Sequence, residues 1–280
     1  MIRKKRLRMI FLGLAGLVVA MTAVVFLAQR SLIYYPRRYF SDDAAVARMG
    51  LVLIHYQTGE GRQTAFFLPQ RRSPSSLPSS LWILFGGNGS LALDWLEFAG
   101  RYPDDGAAFL LIDYPGYGMC EGKPSPAAIR ESSLSAIEQL PRSLGVDASA
   151  LRGRLCALGH SLGAAAALQF AAERKVRKIV LISPFTSMLD MARRSVGTPL
   201  CYLLVHHFDN EARLGEILSH SPSPSVAIFH GSGDPVIPVE MGRALAQRHP
   251  GLISYQEIAR GDHNGIIALG EEAIFAEMRR

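Results

Sequence analysis

The chain has only three cysteines in 280 residues, Cys120, Cys156 and Cys201. An odd number this small gives no disulfide framework, and none of the spacings is that of a zinc site. Cys156 falls inside an apolar run and reads as packing. Cys120 lies in a loop near other candidate residues, where packing is again the ordinary reading, and spacing gives a Cys120–Cys201 bridge no support. Internal repeats are missing, which argues against a solenoid. Acidic residues are missing from positions 1–30, which hold six basic ones, while positions 31–280 carry 24 of each sign. The net charge of +6 therefore belongs to the N-terminus and not to a nucleic-acid surface. No Lys-Ser/Thr pair follows the glycine-rich stretch 86–90, so a nucleotide P-loop is excluded. The pair His206-His207 with Asp209 has no third ligand at a familiar spacing, so neither metal nor cofactor is expected.

What is present begins at the N-terminus. Arg3, Lys4, Lys5, Arg6 and Arg8 precede an uncharged stretch over residues 9–28, long enough to cross a bilayer. A cleaved signal peptide calls for a shorter apolar region and a small-residue cleavage site, for which Phe26-Leu27-Ala28 is poor. A buried core helix is the plainer alternative, and the flanking cations weigh against it. Residues 1–30 are thus expected to be a basic cytoplasmic tip and a single transmembrane anchor. Tyr34, Tyr35, Tyr39 and Phe40 would suit the interface just beyond it. Residues 31–280 form the remaining domain, with 71–78 as a surface loop and 189–224 as a short cap.

Ser161 stands in Gly159-His160-Ser161-Leu162-Gly163, between the apolar run 155–158 and the alanine-rich run 164–172. That reads as strand, tight turn and helix with a hydroxyl at the apex, the nucleophile elbow. A serine hydroxyl needs a histidine base and an acid that orients it. Asp234 follows the apolar run 225–230, and His263 follows the strand-like 252–258, ahead of an amphipathic helix over 266–278. The order Ser, Asp, His, each at the carboxyl end of a strand, predicts a triad. Asp190, after the run preceding the cap, is the alternative acid, although its place in a helix-start pattern suits a dipole-stabilising role. His160 and His230 are not placed to act as the base. The strand 81–85 ends in Gly86-Gly87-Asn88, whose flexible backbone points to the Asn88 N–H as an oxyanion donor beside that of Leu162.

Read together, these segments resemble the small, N-terminally membrane-anchored serine hydrolases of the α/β-hydrolase superfamily. That group has fungal and bacterial members and includes the vertebrate protein depalmitoylases. The resemblance rests on Leu32-Ile33-Tyr34-Tyr35-Pro36, Asp113-Tyr114-Pro115-Gly116-Tyr117-Gly118, Glu121-Gly122-Lys123-Pro124-Ser125 and the elbow. It continues in Ser183-Pro184-Phe185-Thr186-Ser187, in His230-Gly231 with Asp234, and in Gly261-Asp262-His263-Asn264. It implies an α/β-hydrolase fold: a mostly parallel central sheet with helices on both faces and a short cap, after one transmembrane helix. It also implies Ser161, Asp234 and His263 as the triad and the Asn88 and Leu162 backbones as the oxyanion hole. Gly86 stands where the group usually has His, Pro115 where it often has Arg, and Cys120 where it often has Ser. These departures bear on substrate preference.

The expected activity is cleavage of a carboxylic ester or thioester, on a small-molecule or lipid-like acyl substrate. An amidase or peptidase of the same fold needs the same residues, and a catalytically silent anchored interaction module is the alternative outside enzymes. Asn88-Gly89-Ser90 is also a formal N-glycosylation sequon. A glycan there would fill the oxyanion hole, which favours a bacterial inner-membrane protein whose domain faces the periplasm.

Overall fold

In the computed structural model, which describes residues 2–39, 50–73, 77–220 and 222–280, the apolar runs become strands of one sheet. Phe40 and the 74–76 part of the 71–78 loop lie outside the described residues. The strands are β1 (Val52–Thr58), β2 (Gly61–Leu68), β3 (Ser80–Phe85), β4 (Ala107–Ile112), β5 (Leu155–His160), β6 (Lys178–Ile182), β7 (Ser225–Gly231) and β8 (Ile253–Ile258). The helices are α1 (Ile2–Ile33), α2 (Leu96–Arg101), α3 (Pro126–Leu144), α4 (Leu162–Glu173), α5 (Met188–Val196), α6 (Asn210–Leu218), α7 (Val239–Gln247), α8 (Ile266–Leu269) and α9 (Glu271–Arg279).

The strand order is β1-β2-β4-β3-β5-β6-β7-β8, with β1 and β2 antiparallel and β3 to β8 parallel. Parallel strands covered on both faces must be apolar at every position, not at alternate ones. In β4, Ala108, Leu110 and Ile112 join the core that holds Ile129 and Phe170 of α3 and α4. Ala107, Phe109 and Leu111 join the opposite core, with Phe98 of α2 and Phe275 of α9. The order reverses at β3, which pairs with β4 on one side and β5 on the other. Loops leaving β3 and β5 therefore diverge around a crevice, where open α/β sheets bind ligands.

Three readings of the sequence are modified. The amphipathic stretch 266–278 forms two helices, because the chain turns at Gly270, where a Cβ would lie 2.9 Å from the Ile266 carbonyl and 3.2 Å from Ile258 Cγ1. Of the described residues of 189–224, α5 and the 3-10 turn Leu200–Leu203 form the cover, lining one cavity with Ser161. α6 instead buries Leu214 and Ile217 in the core beside α4. The boundary at residue 30 falls inside a helix, since α1 runs on to Ile33.

α1 is long and apolar enough over Met9–Ile33 to cross a membrane, and an 18-residue apolar window of it has no buried residue, which removes the core-helix reading. Its end does touch the domain. Gln29 is buried, its Nε2 donating to the Leu203 carbonyl at 2.8 Å and its Oε1 accepting from the Val205 N–H at 2.7 Å. Tyr34, assigned to the interface from sequence, is buried instead, its hydroxyl 3.1 Å from His206 Nδ1. Tyr39 packs on Phe66, and Tyr35 alone of the described three stays exposed.

Candidate active site

Ser161 sits between β5 and α4 with φ 57° and ψ −119°, a strained conformation for a residue with a side chain. Its N–H donates to the Ile182 carbonyl at 2.9 Å, pinning the turn to β6. The glycines on either side have a steric cause. A Cβ on Gly159 would overlap the Gly163 carbonyl, and one on Gly163 would overlap the Phe85 carbonyl. Strand, turn and helix thus touch through backbone alone, and Ser161 is left at the apex.

The structure brings the three sequence-predicted side chains together. The Ser161 hydroxyl lies 2.9 Å from His263 Nε2, and His263 Nδ1 lies 2.7 Å from Asp234 Oδ2. A carboxylate at that distance accepts the Nδ1 proton, which leaves Nε2 free to accept from Ser161. Asp234 Oδ1 accepts from the Val236 and Ile237 N–H groups, both at 2.9 Å. Burial works against the Asp234 charge. The nearby His230 (Nε2 at 3.6 Å), the His263 bond and the Ile237 N–H outweigh it and hold the carboxyl well below the usual carboxylate range.

Around this line, His160 fills a role that its position in the elbow did not reveal. It is buried, and its Nε2–H donates to the backbone carbonyl of His263 at 2.7 Å, with the two rings 4.9 Å apart. Burial, with the charge of a protonated His263 as a lesser cause, pushes its pKa down to about 4, so it stays neutral and holds the His263 loop as a donor. His230, at the end of β7, donates from Nε2 to the Ile237 carbonyl at 2.9 Å. Neither histidine reaches Ser161 as the base.

The loop after β3 lies beside the elbow because β3 and β5 are neighbours, Phe85 opposite Gly159. Its carbonyls are held by phenols: Tyr114 donates to Gly86 and Tyr117 to Asn88, each at 2.6 Å. Among the described residues, neither the Asn88 N–H nor the Leu162 N–H has an acceptor in the protein. Leu162 is the first residue of α4, where an N–H has no partner within the helix. Two backbone donors without a protein acceptor thus belong to residues that line the same cavity as Ser161.

Asp190 is not part of this line. It lies in the first turn of α5, accepting from the Thr186 and Ser187 hydroxyls at 2.7 Å and from Arg193 at 2.8 Å. Cys120, Cys156 and Cys201 are all buried and free, and burial pushes the Cys120 thiol up to about 12. A cavity of about 700 Å³ opens over Ser161 and His263, lined also by Met188 and Leu203 of the cover and by Val25 and Leu32 of α1. The contribution of α1 was not legible in advance. Its one available signal was Gln29, a polar residue near the end of an apolar stretch.

Over 253 residues the chain is 28% identical to an uncharacterized protein of Mycobacterium tuberculosis, covering 90% of this chain and 86% of that one. It is 31% identical over 198 residues to the alpha/beta hydrolase domain-containing protein WAV2 of Arabidopsis thaliana, covering 65% of this chain and 60% of the other. Among solved structures, a Pyrococcus furiosus esterase superposes with a TM-score of 0.64 at 15% identity, over 88% of this chain and 95% of that one, a likeness of fold. Residues 51–220 match the model of the alpha/beta hydrolase family, and with the elbow at the head of α4 and the sheet that carries it, the chain belongs to that family.

Proposed function

We propose that this protein is a serine hydrolase, anchored in a membrane by α1, that cleaves a carboxylic ester or thioester through an acyl-enzyme on Ser161. The observation that carries this reading is the unbroken line of hydrogen bonds from Ser161 through His263 to Asp234. In the first step His263 Nε2 takes the Ser161 proton as Oγ attacks the acyl carbon. The Asn88 and Leu162 N–H groups receive the developing oxyanion. The Asp234 carboxylate holds the imidazole in its productive tautomer and stabilises the imidazolium. His263 then gives its proton to the departing alcohol or thiol. Water, deprotonated by the same nitrogen, releases the acid in the second half.

Residues 1–30 serve as the anchor in this reading, and residues 31–280 carry the chemistry. The excess of basic residues before the span over Arg30, Arg37 and Arg38 after it supports a cytoplasmic N-terminus and a domain on the far side. The Asn88 sequon supports a bacterial periplasm over a eukaryotic lumen, because the Asn88 amide already donates to the Ile33 carbonyl and a glycan would displace it. Reaction of the purified protein with a fluorophosphonate, followed by mass spectrometry of the labelled peptide, tests the reading. A covalent adduct on Ser161 is expected. An unlabelled protein would point to the silent interaction module, and a label elsewhere would move the nucleophile.

A further inference from the structure

The last turns of α1 belong to two surroundings at once. Val25, Gln29, Leu32 and Ile33 recur at i, i+4, i+7 and i+8, one stripe of a helix, and all four line the cavity over Ser161. On the other side of the same turns, Phe26 and Leu27 are exposed, Leu27 at 79%, and on the stripe Leu32 is open to the outside as well, at 56%. The lining holds two groups by chemistry. Ser161, His263, Gly87 and Asn88 form the polar group. Val25, Leu32, Leu200 and Leu203 form the apolar group, and Gln29 bonds to the Leu203 carbonyl. Ile33, whose carbonyl accepts from the Asn88 amide at 3.1 Å, joins them.

Depth in the bilayer follows from helix geometry. The 25 residues of Met9–Ile33 rise about 37 Å at ~1.5 Å each, against a hydrocarbon core of about 30 Å. A span that starts at Met9 therefore leaves hydrocarbon near Ala28. Val25 then stands among acyl chains, and residues 29–33 stand at the headgroups. The cover over this junction is built for the same surroundings. Tyr202 is 64% and Val205 56% exposed, next to the turn that Gln29 holds. The Gln29 amide satisfies the Leu203 carbonyl and the Val205 N–H, groups that would be costly to leave bare against lipid.

We propose that the wall of the cavity contributed by α1 is an acyl-chain groove through which the enzyme takes long-chain esters directly from the bilayer that anchors it. This rests on the reading of Ser161 as nucleophile and of α1 as an anchor, and it adds the substrate class and the route. The chain lies along Val25 and Leu32, and the ester carbonyl rises past Ile33 to Ser161. Ser161 Oγ forms the new acyl bond as the ester C–O bond breaks, and the alcohol leaves with the proton from His263. One water then releases the fatty acid and restores Ser161.

The test uses the full-length protein in phosphatidylcholine vesicles, with a fluorogenic butyrate ester in the water and the matching oleate ester in the bilayer. The wild type is expected to hydrolyse both. Val25→Trp, which fills the groove, is expected to lower the oleate-to-butyrate ratio of kcat/KM by about tenfold or more. The ratio is taken within one preparation, so a partly unfolded sample does not alter it. If that variant does not fold, the exposed double change Tyr202→Asp with Val205→Asp is expected to lower the ratio in the same direction. An unchanged ratio in the folded variant, or a wild type that cleaves butyrate and leaves vesicle oleate intact, overturns the groove and leaves the Ser161 reading standing. Hydrolysis of both esters by Ser161→Ala overturns the Ser161 reading itself.

Discussion

The Asn88 side-chain amide donates to the Ile33 carbonyl at 3.1 Å, tying the loop beside Ser161 to the last residue of α1. The Asn88 carbonyl is held in turn by the Tyr35 N–H at 3.0 Å and the Tyr117 hydroxyl at 2.6 Å. The proposed oxyanion donor is therefore oriented by the end of the apolar helix and the segment that follows it. The end of α1 and the loop beside Ser161 are one mechanical unit.

Replacing Ser161 with Ala is expected to abolish both fluorophosphonate labelling and ester hydrolysis while leaving the fold intact. Only a hydroxyl is removed, and the backbone bond to Ile182 remains. Loss of a nucleophile removes several orders of magnitude in rate, on the order of 10⁶ where it has been dissected. Circular dichroism beside the activity assay checks both halves.

Asp234→Asn is expected to lower kcat by about 10²–10⁴-fold, because the amide neither stabilises the imidazolium nor fixes the tautomer. Asp190→Asn is expected to leave kcat within about twofold and to cost about 1 kcal/mol of stability, the order of a lost helix cap. Kinetics and urea unfolding on the two variants separate the roles. The reverse ranking would move the acid to the start of α5.

Stability is expected to fall as the pH drops from about 6.5 toward 4. His160 has its pKa lowered in the folded protein, so the unfolded chain binds the proton first. The stabilisation is complete above the unfolded value and is lost as pH falls through the folded one. A shift from 6.5 to about 4 corresponds to about 3 kcal/mol. Asp234, also depressed, adds its own loss below about pH 4, its unfolded value. His160→Gln, which keeps a donor for the His263 carbonyl, should flatten the first part of the curve in urea titrations at stepped pH.

Removal of residues 1–24 is expected to preserve hydrolysis of a short soluble ester, because Val25 and Gln29 stay in place. Removal of 1–30 is expected to lower kcat/KM on that ester by about tenfold, the equivalent of ~1.4 kcal/mol and of the order of a lost buried hydrogen-bond pair. The division at residue 30 read from the sequence would instead make the second truncation harmless. Equal rates for the two forms would restore that view. Full-length protein should also resist extraction by alkali or high salt, since apolar burial and not charge holds it.

Much of the molecule was legible because its signals are local. Runs such as 81–85 and 155–158 are apolar at every position since both faces of the sheet are covered, so the strands that carry the site could be read directly. Gly159 and Gly163 mark the elbow because backbone touches backbone there, a constraint that falls on single residues. Asp234 and His263, which the fold brings beside Ser161, were singled out by chain order and by their place after strands.

What the sequence could not carry is what depends on contacts between distant segments. His160 looks like a bystander until the fold sets its Nε2 against a carbonyl 103 positions away. Tyr34 reads as an interfacial aromatic until His206, 172 positions on, takes its hydroxyl. Gln29 is one polar residue in an apolar helix until Leu203 and Val205 close on its amide. Hydrophobic period, glycine placement and charge asymmetry decided the elements, the elbow and the apolar N-terminal helix, because each acts within a few residues. The tertiary structure alone decided that this helix supplies a wall of the cavity, because side chains far apart in sequence meet only once the sheet has brought them together.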